Sequence, residues 1–226
     1  ARPWSEPPPP PPLKLDGGGP VGAISVRPDG REIATGTLDG SIRIWDVPTG
    51  RLKASFKGHS ARVNGLAYSR GGERLASIGR EGDVKLWAFS DDGEPTSRLL
   101  GSHEKRCIAL AFREDGRILA TGGIDKTVRI WDLARSAFLD RKAPDEVYAL
   151  AFSPDGRVLA SAGADEDAAI TLWDGSTGEW SQAGRLLGHT RQVNALAFDR
   201  HGRLASGSHD STARVWRGKD EEIVLR

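Results

Sequence analysis

The feature that most constrains this chain is a phrase it repeats. "SIRIWD" at 41–46, "DVKLWA" at 83–88, "KTVRIWD" at 126–132, "AITLWD" at 169–174 and "TARVWR" at 212–217 are near-copies, each built on a tryptophan. Trp45, Trp87, Trp131, Trp173 and Trp216 follow one another at intervals of 42, 44, 42 and 43 residues. A period of that size, held five times, is the mark of one supersecondary unit stacked on copies of itself, because such a unit cannot bury its apolar face alone.

Aligned on the tryptophans, the units share a second pattern. "AISVRPDGREIATG", "GLAYSRGGERLASIG", "ALAFREDGRILATGG", "ALAFSPDGRVLASAG" and "ALAFDRHGRLASGS" each join two short apolar runs through a glycine-containing turn, which predicts a pair of strands. In "PDG" (28–30, 154–156), "EDG" (114–116) and "RHG" (200–202) the glycine takes the positive-φ site of the turn. "LDGS" (38–41) and "IDKT" (124–127) turn the chain again into the tryptophan strand. A fourth strand follows in "RLKASF", "SRLLG", "AFLDRK", "GRLLG" and "EIVLR", and no stretch reads as a helix. The expectation is an all-β chain of five four-stranded antiparallel blades, at about 21–56, 63–100, 107–142, 147–187 and 193–226, packed around an axis as a β-propeller.

The chain resembles the WD-repeat (WD40) family. The likeness rests on the Trp-Asp pairs at 45–46, 131–132 and 173–174 and the Gly-His pairs at 58–59 and 188–189, and it covers residues 13–226. In that family similar His, Ser/Thr, Asp and Trp positions hydrogen-bond in series within a blade. The resemblance implies such a network for His59, Ser77, Glu81 and Trp87, for His103, Thr121, Asp125 and Trp131, and for His189, Ser206, Asp210 and Trp216. The first unit has Gly17 and the fourth Ala143 where the histidine stands, and the fourth carries a two-residue insertion in "GADEDAAITLW". Blades 1 and 4 are therefore expected to be locally weaker.

A Ser–His–Asp trio invites a hydrolase reading. A catalytic triad, however, acts once, in a cleft with an oxyanion hole, whereas here the trio recurs by column. Half-buried imidazole, hydroxyl, carboxylate and indole groups are costly unless they satisfy one another, and that accounts for the recurrence. No catalytic residue is assigned. Cys107 is the only cysteine, so neither an intrachain disulfide nor a cysteine-built zinc site is expected. It stands where neighbouring repeats have valine, and with His103 alone it makes an incomplete metal site. The glycines of "DGGGP" lack phosphate-loop spacing, so no cofactor is expected.

Lys plus Arg (32) almost cancels Asp plus Glu (31), which disfavours nucleic acid or an anionic bilayer as the main partner. No run approaches the ~20 apolar residues that cross a membrane. No stretch reads as a secretory signal, and a cytoplasmic location is expected. A chain that starts at Ala1 and contains no methionine is expected to be a processed or excised piece of a longer product.

With strand order a-b-c-d, the d–a and b–c loops emerge at one end of a propeller. That end displays Arg62, Lys105, Arg106, Arg191 and Gln192 from the first set of loops, and Leu38, Arg80, Ile124, Ala164 and His209 from the second. WD-repeat proteins commonly bind peptides or proteins across this face, so the resemblance implies a non-catalytic protein-interaction scaffold. Its basic residues, with Gln192 and His209 beside them, are expected to attract an acidic or phosphorylated segment. The alternative is a regulatory or substrate-docking domain of a larger enzyme, such as a signalling kinase, protease or redox protein, whose catalytic part lies outside this chain.

Residues 1–12 read as a proline-rich linker, with Pro7–Pro12 forming a polyproline II rod of roughly 19 Å at about 3.1 Å per residue. "LKL" at 13–15 reads as an extra outer strand of a blade before the first, yet "EIVLR" already gives the last blade its own. Three outcomes are open: excision from a larger ring, joining of copies, or closure as a five-bladed ring. Association with further blades, in a larger protein or an oligomer, ranks above closure.

Overall fold

The fold is described by a computed structural model, which covers residues 14–89, 95–164, 168–217 and 222–225. Twenty strands form five separate antiparallel sheets in sequence order, and the described residues contain no helix. Blade 1 is β1 (Val21–Val26), β2 (Glu32–Thr37), β3 (Ser41–Asp46) and β4 (Leu52–Lys57). Blade 2 is β5 (Val63–Tyr68), β6 (Arg74–Gly79), β7 (Asp83–Phe89) and β8 (Pro95–Ser102). Blade 3 is β9 (Cys107–Phe112), β10 (Ile118–Gly123), β11 (Thr127–Asp132) and β12 (Ala137–Lys142). Blade 4 is β13 (Val147–Phe152), β14 (Val158–Gly163), β15 (Ile170–Asp174) and β16 (Ser181–Leu186). Blade 5 is β17 (Val193–Phe198), β18 (Leu204–Ser208), β19 (Ala213–Trp216) and β20 (Glu222–Leu225).

The turns use the expected chemistry. Gly30, Gly116, Gly156 and Gly202 all take positive φ between first and second strands. At the b–c turns Gly40 and Gly82 do the same, while Lys126 and Ser211 hold the left-handed conformation without a glycine. Gly40 has no alternative: a Cβ there would lie 2.2 Å from the carbonyl oxygen of His59. Each first strand carries a bulge at its second residue, Gly22, Asn64, Ile108, Tyr148 or Asn194, when it pairs with its second strand. A bulge re-aims the extra side chain, so this column leaves the regular in–out alternation in every blade.

The core is built between blades rather than within them. Four buried clusters correspond to the four junctions of five blades. At the first, Ala34, Ile42 and Ile44 of blade 1 meet Val63, Leu66, Tyr68, Leu75 and Trp87 of blade 2. At the second, Ala76, Ile78 and Val84 meet Cys107, Leu119, Trp131 and Leu133. At the third, Ala120, Val128 and Ile130 meet Val147, Leu150, Leu159, Trp173 and Trp180. At the last, Ala160, Ala162 and Ile170 meet Val193, Leu204 and Trp216. Small residues on the far face of one blade thus receive the branched and aromatic residues of the next, which is how interiors reach close packing. Asn64 Nδ2 adds a polar tie across the second junction, donating to the Cys107 carbonyl at 2.7 Å.

The innermost strands pack in chain order, β1 on β5, β5 on β9, β9 on β13 and β13 on β17, and no comparable packing joins β17 to β1 among the described residues. Of the outer strand expected at 13–15, Lys14 and Leu15 lie in no strand, and Leu13 falls outside the described residues. The proline-rich residues 1–12 also lie outside the described residues.

Candidate interaction face and its buried clamps

Three blades carry a complete hydrogen-bonded series. In blade 3 the Trp131 indole N–H donates to Thr121 Oγ1 at 2.9 Å, and that hydroxyl lies 2.8 Å from His103 Nε2. His103 Nδ1 faces the Asp125 carboxylate at 2.9 Å. Blade 5 repeats this with Trp216, Ser206, His189 and Asp210 at 2.9, 2.8 and 2.8 Å. Blade 2 repeats it with Trp87, Ser77 and His59 at 2.8 and 2.7 Å, and the longer Glu81 reaches His59 Nδ1 at 2.6 Å.

Proton bookkeeping fixes the tautomer. A carboxylate can only accept, so Nδ1–H donates to it. In a neutral ring Nε2 is then left to accept the hydroxyl proton, while the same hydroxyl oxygen accepts from the indole. Burial pushes the pKa of His59 and His103 below the ordinary histidine value, outweighing the acidic partner in each case. At Asp210 burial works upward, but hydrogen bonds from Thr212, His189 and the Thr190 backbone win and hold the carboxyl well down. All three serines and threonines of the series, and all three histidines, are buried, so none presents a nucleophile to solvent. Blades 1 and 4 keep only the first link, Trp45 to Thr35 at 2.9 Å and Trp173 to Ser161 at 2.8 Å. Cys107 is wholly buried and burial pushes its thiol far up, so it packs as a small apolar group.

Each clamp sits at the root of the loops on one end. Backbone bonds tie the d–a loop to the b–c turn of its own blade. Arg80 N–H donates to Arg62 O at 2.9 Å, Ile124 to Arg106 at 3.1 Å, His209 to Gln192 at 2.9 Å, and Leu38 to Pro20 at 3.1 Å. Arg62, Arg80, Lys105, Arg191 and His209 are exposed there, while Arg106 and Gln192 are half-buried. Arg62 lies against blade 1, its Nε within 3.0 Å of where a Cβ of Gly22 would stand. Blade 4 interrupts the basic series. Its loop supplies Asp145, paired with Lys126 at 3.0 Å, and Glu146, which accepts from the Tyr148 hydroxyl at 2.5 Å. The rest of its contribution, 165–167, lies outside the described residues.

One recurring contact was not anticipated from the sequence. Arg43, Lys85 and Arg129, each two residues before a tryptophan, donate to the carbonyls of Gly17, Gly58 and Ser102, each a few residues before the first strand of a blade. The signal was present, since a basic residue also precedes Trp216 at that spacing, as Arg214.

Sheets of this topology, with clamps in this series, define a repeat propeller of the WD type. The repeat described as "WD domain, G-beta repeat" matches residues 11–46, 50–88, 93–132, 139–174 and 180–217, and the chain belongs to that family. Over 200 residues it is 30% identical to nuclear distribution protein PAC1-2 of Uncinocarpus reesii, covering 87% of this chain and 38% of the relative. It is 31% identical over 131 residues to the chromatin assembly factor 1 subunit FAS2 homolog of Oryza sativa subsp. japonica, covering 52% and 26%. It is 33% identical over 102 residues to the WD repeat and SOCS box-containing protein 1 of Xenopus tropicalis, covering 45% and 24%. The chain spans well under half the length of each of these relatives. WD40 domains generally act as platforms for protein partners, and the repeats imply a protein-interaction scaffold role.

Proposed function

We propose that the chain is a protein-binding module without catalysis of its own, and that it engages an acidic or phosphorylated segment on the end formed by the d–a and b–c loops. One observation carries this reading. Arg62, Arg80, Lys105, Arg106 and Arg191 gather at that end, and among the described residues none has an ion-pair partner. Some cations of the molecule are matched, as Arg27 is with Glu32 at 3.4 Å and Arg129 with Asp140 at 2.5 Å. Unmatched cations over a rigid base favour anions, and arginine forks suit carboxylate and phosphate. Gln192 and His209 supply neutral hydrogen-bonding groups beside them. Titration of a phosphoserine-rich acidic peptide against the wild type and a variant in which Arg62, Arg106 and Arg191 are alanine tests the reading. Affinity should fall at least tenfold and depend on salt; equal affinity for both proteins would overturn it.

A second reading places this module inside a larger protein, docking substrates or regulators for an activity carried by other residues. It is supported by the fraction of each relative that the chain covers. Activity assays on the longer product with and without these repeats separate the two.

A further inference from the structure

Among the described residues blades 1 and 5 each leave one face uncovered, and the two faces complement each other. In β5, Val63, Leu66 and Tyr68 are 0%, 7% and 8% exposed because blade 1 covers them. Their counterparts in β1 are Val21, Ile24 and Val26, at 49%, 62% and 55%. At the other end, Ala205 of β18 is exposed, although Ala34, Ala76, Ala120 and Ala160 in the same column are completely buried. Ala195, Ala197 and Ala213 are exposed with it, and a cavity of about 390 Å³ opens beside Phe198, Ala205 and Val215.

The internal junctions show what such faces accept. Val63 seats where a Cβ on Gly36 would lie 2.5 Å away, and Val147 does the same at Gly122 at 2.4 Å. Leu110 covers Gly65 at 2.5 Å. On the bare face of blade 5, Gly207 holds the column of Gly36 and Gly122, and Ala195 holds that of Gly65. Asn194 holds the bulge position from which Asn64 binds the carbonyl of the next blade's first residue. Its Oδ1 accepts from Gln192 at 2.5 Å, and its Nδ2 has no protein partner among the described residues.

We infer that a second copy of this chain docks head-to-tail, the β1 face of one protomer against the blade 5 face of its partner. The register is that of the internal junctions: Val21 over Gly207, Ile24 over Ala195, and Asn194 Nδ2 donating to the Val21 carbonyl. Knobs meet holes only in this pairing, since two β1 faces would set branched side chains against each other and two blade 5 faces would leave voids. The contact is heterologous, so each docked copy leaves one bare face and association can continue. It also removes exposed apolar surface of the kind that drives assembly.

Light scattering on size-separated protein tests this with two variants of exposed residues, Ile24→Glu and Ala205→Glu. Wild-type mass should rise above one chain as concentration increases. Each variant alone should stay at one chain, having lost one half of every contact. An equimolar mixture should recover two chains and no more, because a single intact pair of faces remains. A wild type of single-chain mass throughout, as expected if other blades fill the gap or the ring closes on itself, would overturn the inference. So would variants that associate like the wild type, or a mixture that does not dimerise. Register is checked without depending on those charges. Oxidising Val21→Cys protein with Gly207→Cys protein should give covalent dimers, while Val21→Cys with a surface cysteine at Arg31 should not; equal yields would also refute the register.

Discussion

Replacing Thr121 by valine keeps the side-chain shape and deletes one hydroxyl, which makes the cost of that hydroxyl readable. Thr121 is fully buried, accepts from Trp131 at 2.9 Å and donates to His103 at 2.8 Å. The substitution leaves two buried polar groups without partners, an indole N–H and an imidazole nitrogen. Each such orphan costs about 1–3 kcal/mol, so Thr121→Val should destabilise by about 2–6 kcal/mol. Blade 1 contains its own control. Thr35 accepts from Trp45 at 2.9 Å but has no histidine behind it, so Thr35→Val strands one group and should cost about 1–3 kcal/mol. Thr121→Ser retains both bonds and loses one methyl, worth about 1 kcal/mol. Guanidinium unfolding followed by far-ultraviolet circular dichroism gives the order Thr121→Val, then Thr35→Val, then Thr121→Ser. Equal losses for the two valine variants, or a serine variant as damaged as the valine one, would refute the idea that the series acts as a connected unit.

Three further outcomes follow from the same geometry. His59 and His103 have folded pKa values below the unfolded value of about 6.5, so the unfolded chain takes up protons first as pH falls; stability should be flat above about pH 6.5 and decline below it, and a flat unfolding midpoint down to about pH 5.5 would contradict this. Gly40→Ala drives a Cβ into the His59 and Ala61 carbonyls and should cost more than about 2 kcal/mol, whereas Gly30→Ala, with open space around it, should cost only the left-handed penalty of about 1–2 kcal/mol. Native-state hydrogen exchange should be faster in β3 and β15, whose blades lack the histidine link, than in β11; equal protection would show that inter-blade packing alone sets local stability.

Much of the architecture was readable because it depends on local chemistry. The tryptophan period, the Gly30-type turns and the residues of each clamp all sit at fixed spacings, and Glu81 could be placed because its column demanded an acid. What could not be read depends on neighbours. "LKL" has the composition of the other outer strands, yet its described residues, Lys14 and Leu15, lie in no strand. Val21, Ile24 and Val26 look no different in sequence from Val63, Leu66 and Tyr68, yet they are exposed because no blade covers them among the described residues. Trp180 was not singled out. It turns inward at positive φ to pack between blades 3 and 4, with Phe152 at 5.5 Å and its carbonyl accepting from Arg141 at 2.9 Å. For the basic face, the loop residues were legible by topology, whereas their lack of ion-pair partners was visible only in three dimensions.

Because each sheet leans only on the sheets before and after it, this molecule should melt like a zipper rather than shatter like a sphere. Among the described residues blades 1 and 5 each pack on one neighbour and the inner blades on two, so unravelling of these sheets should start at blade 1 or 5 and advance stepwise. Trimming blade 5 would thus subtract one increment of stability and pass the role of last petal to blade 4.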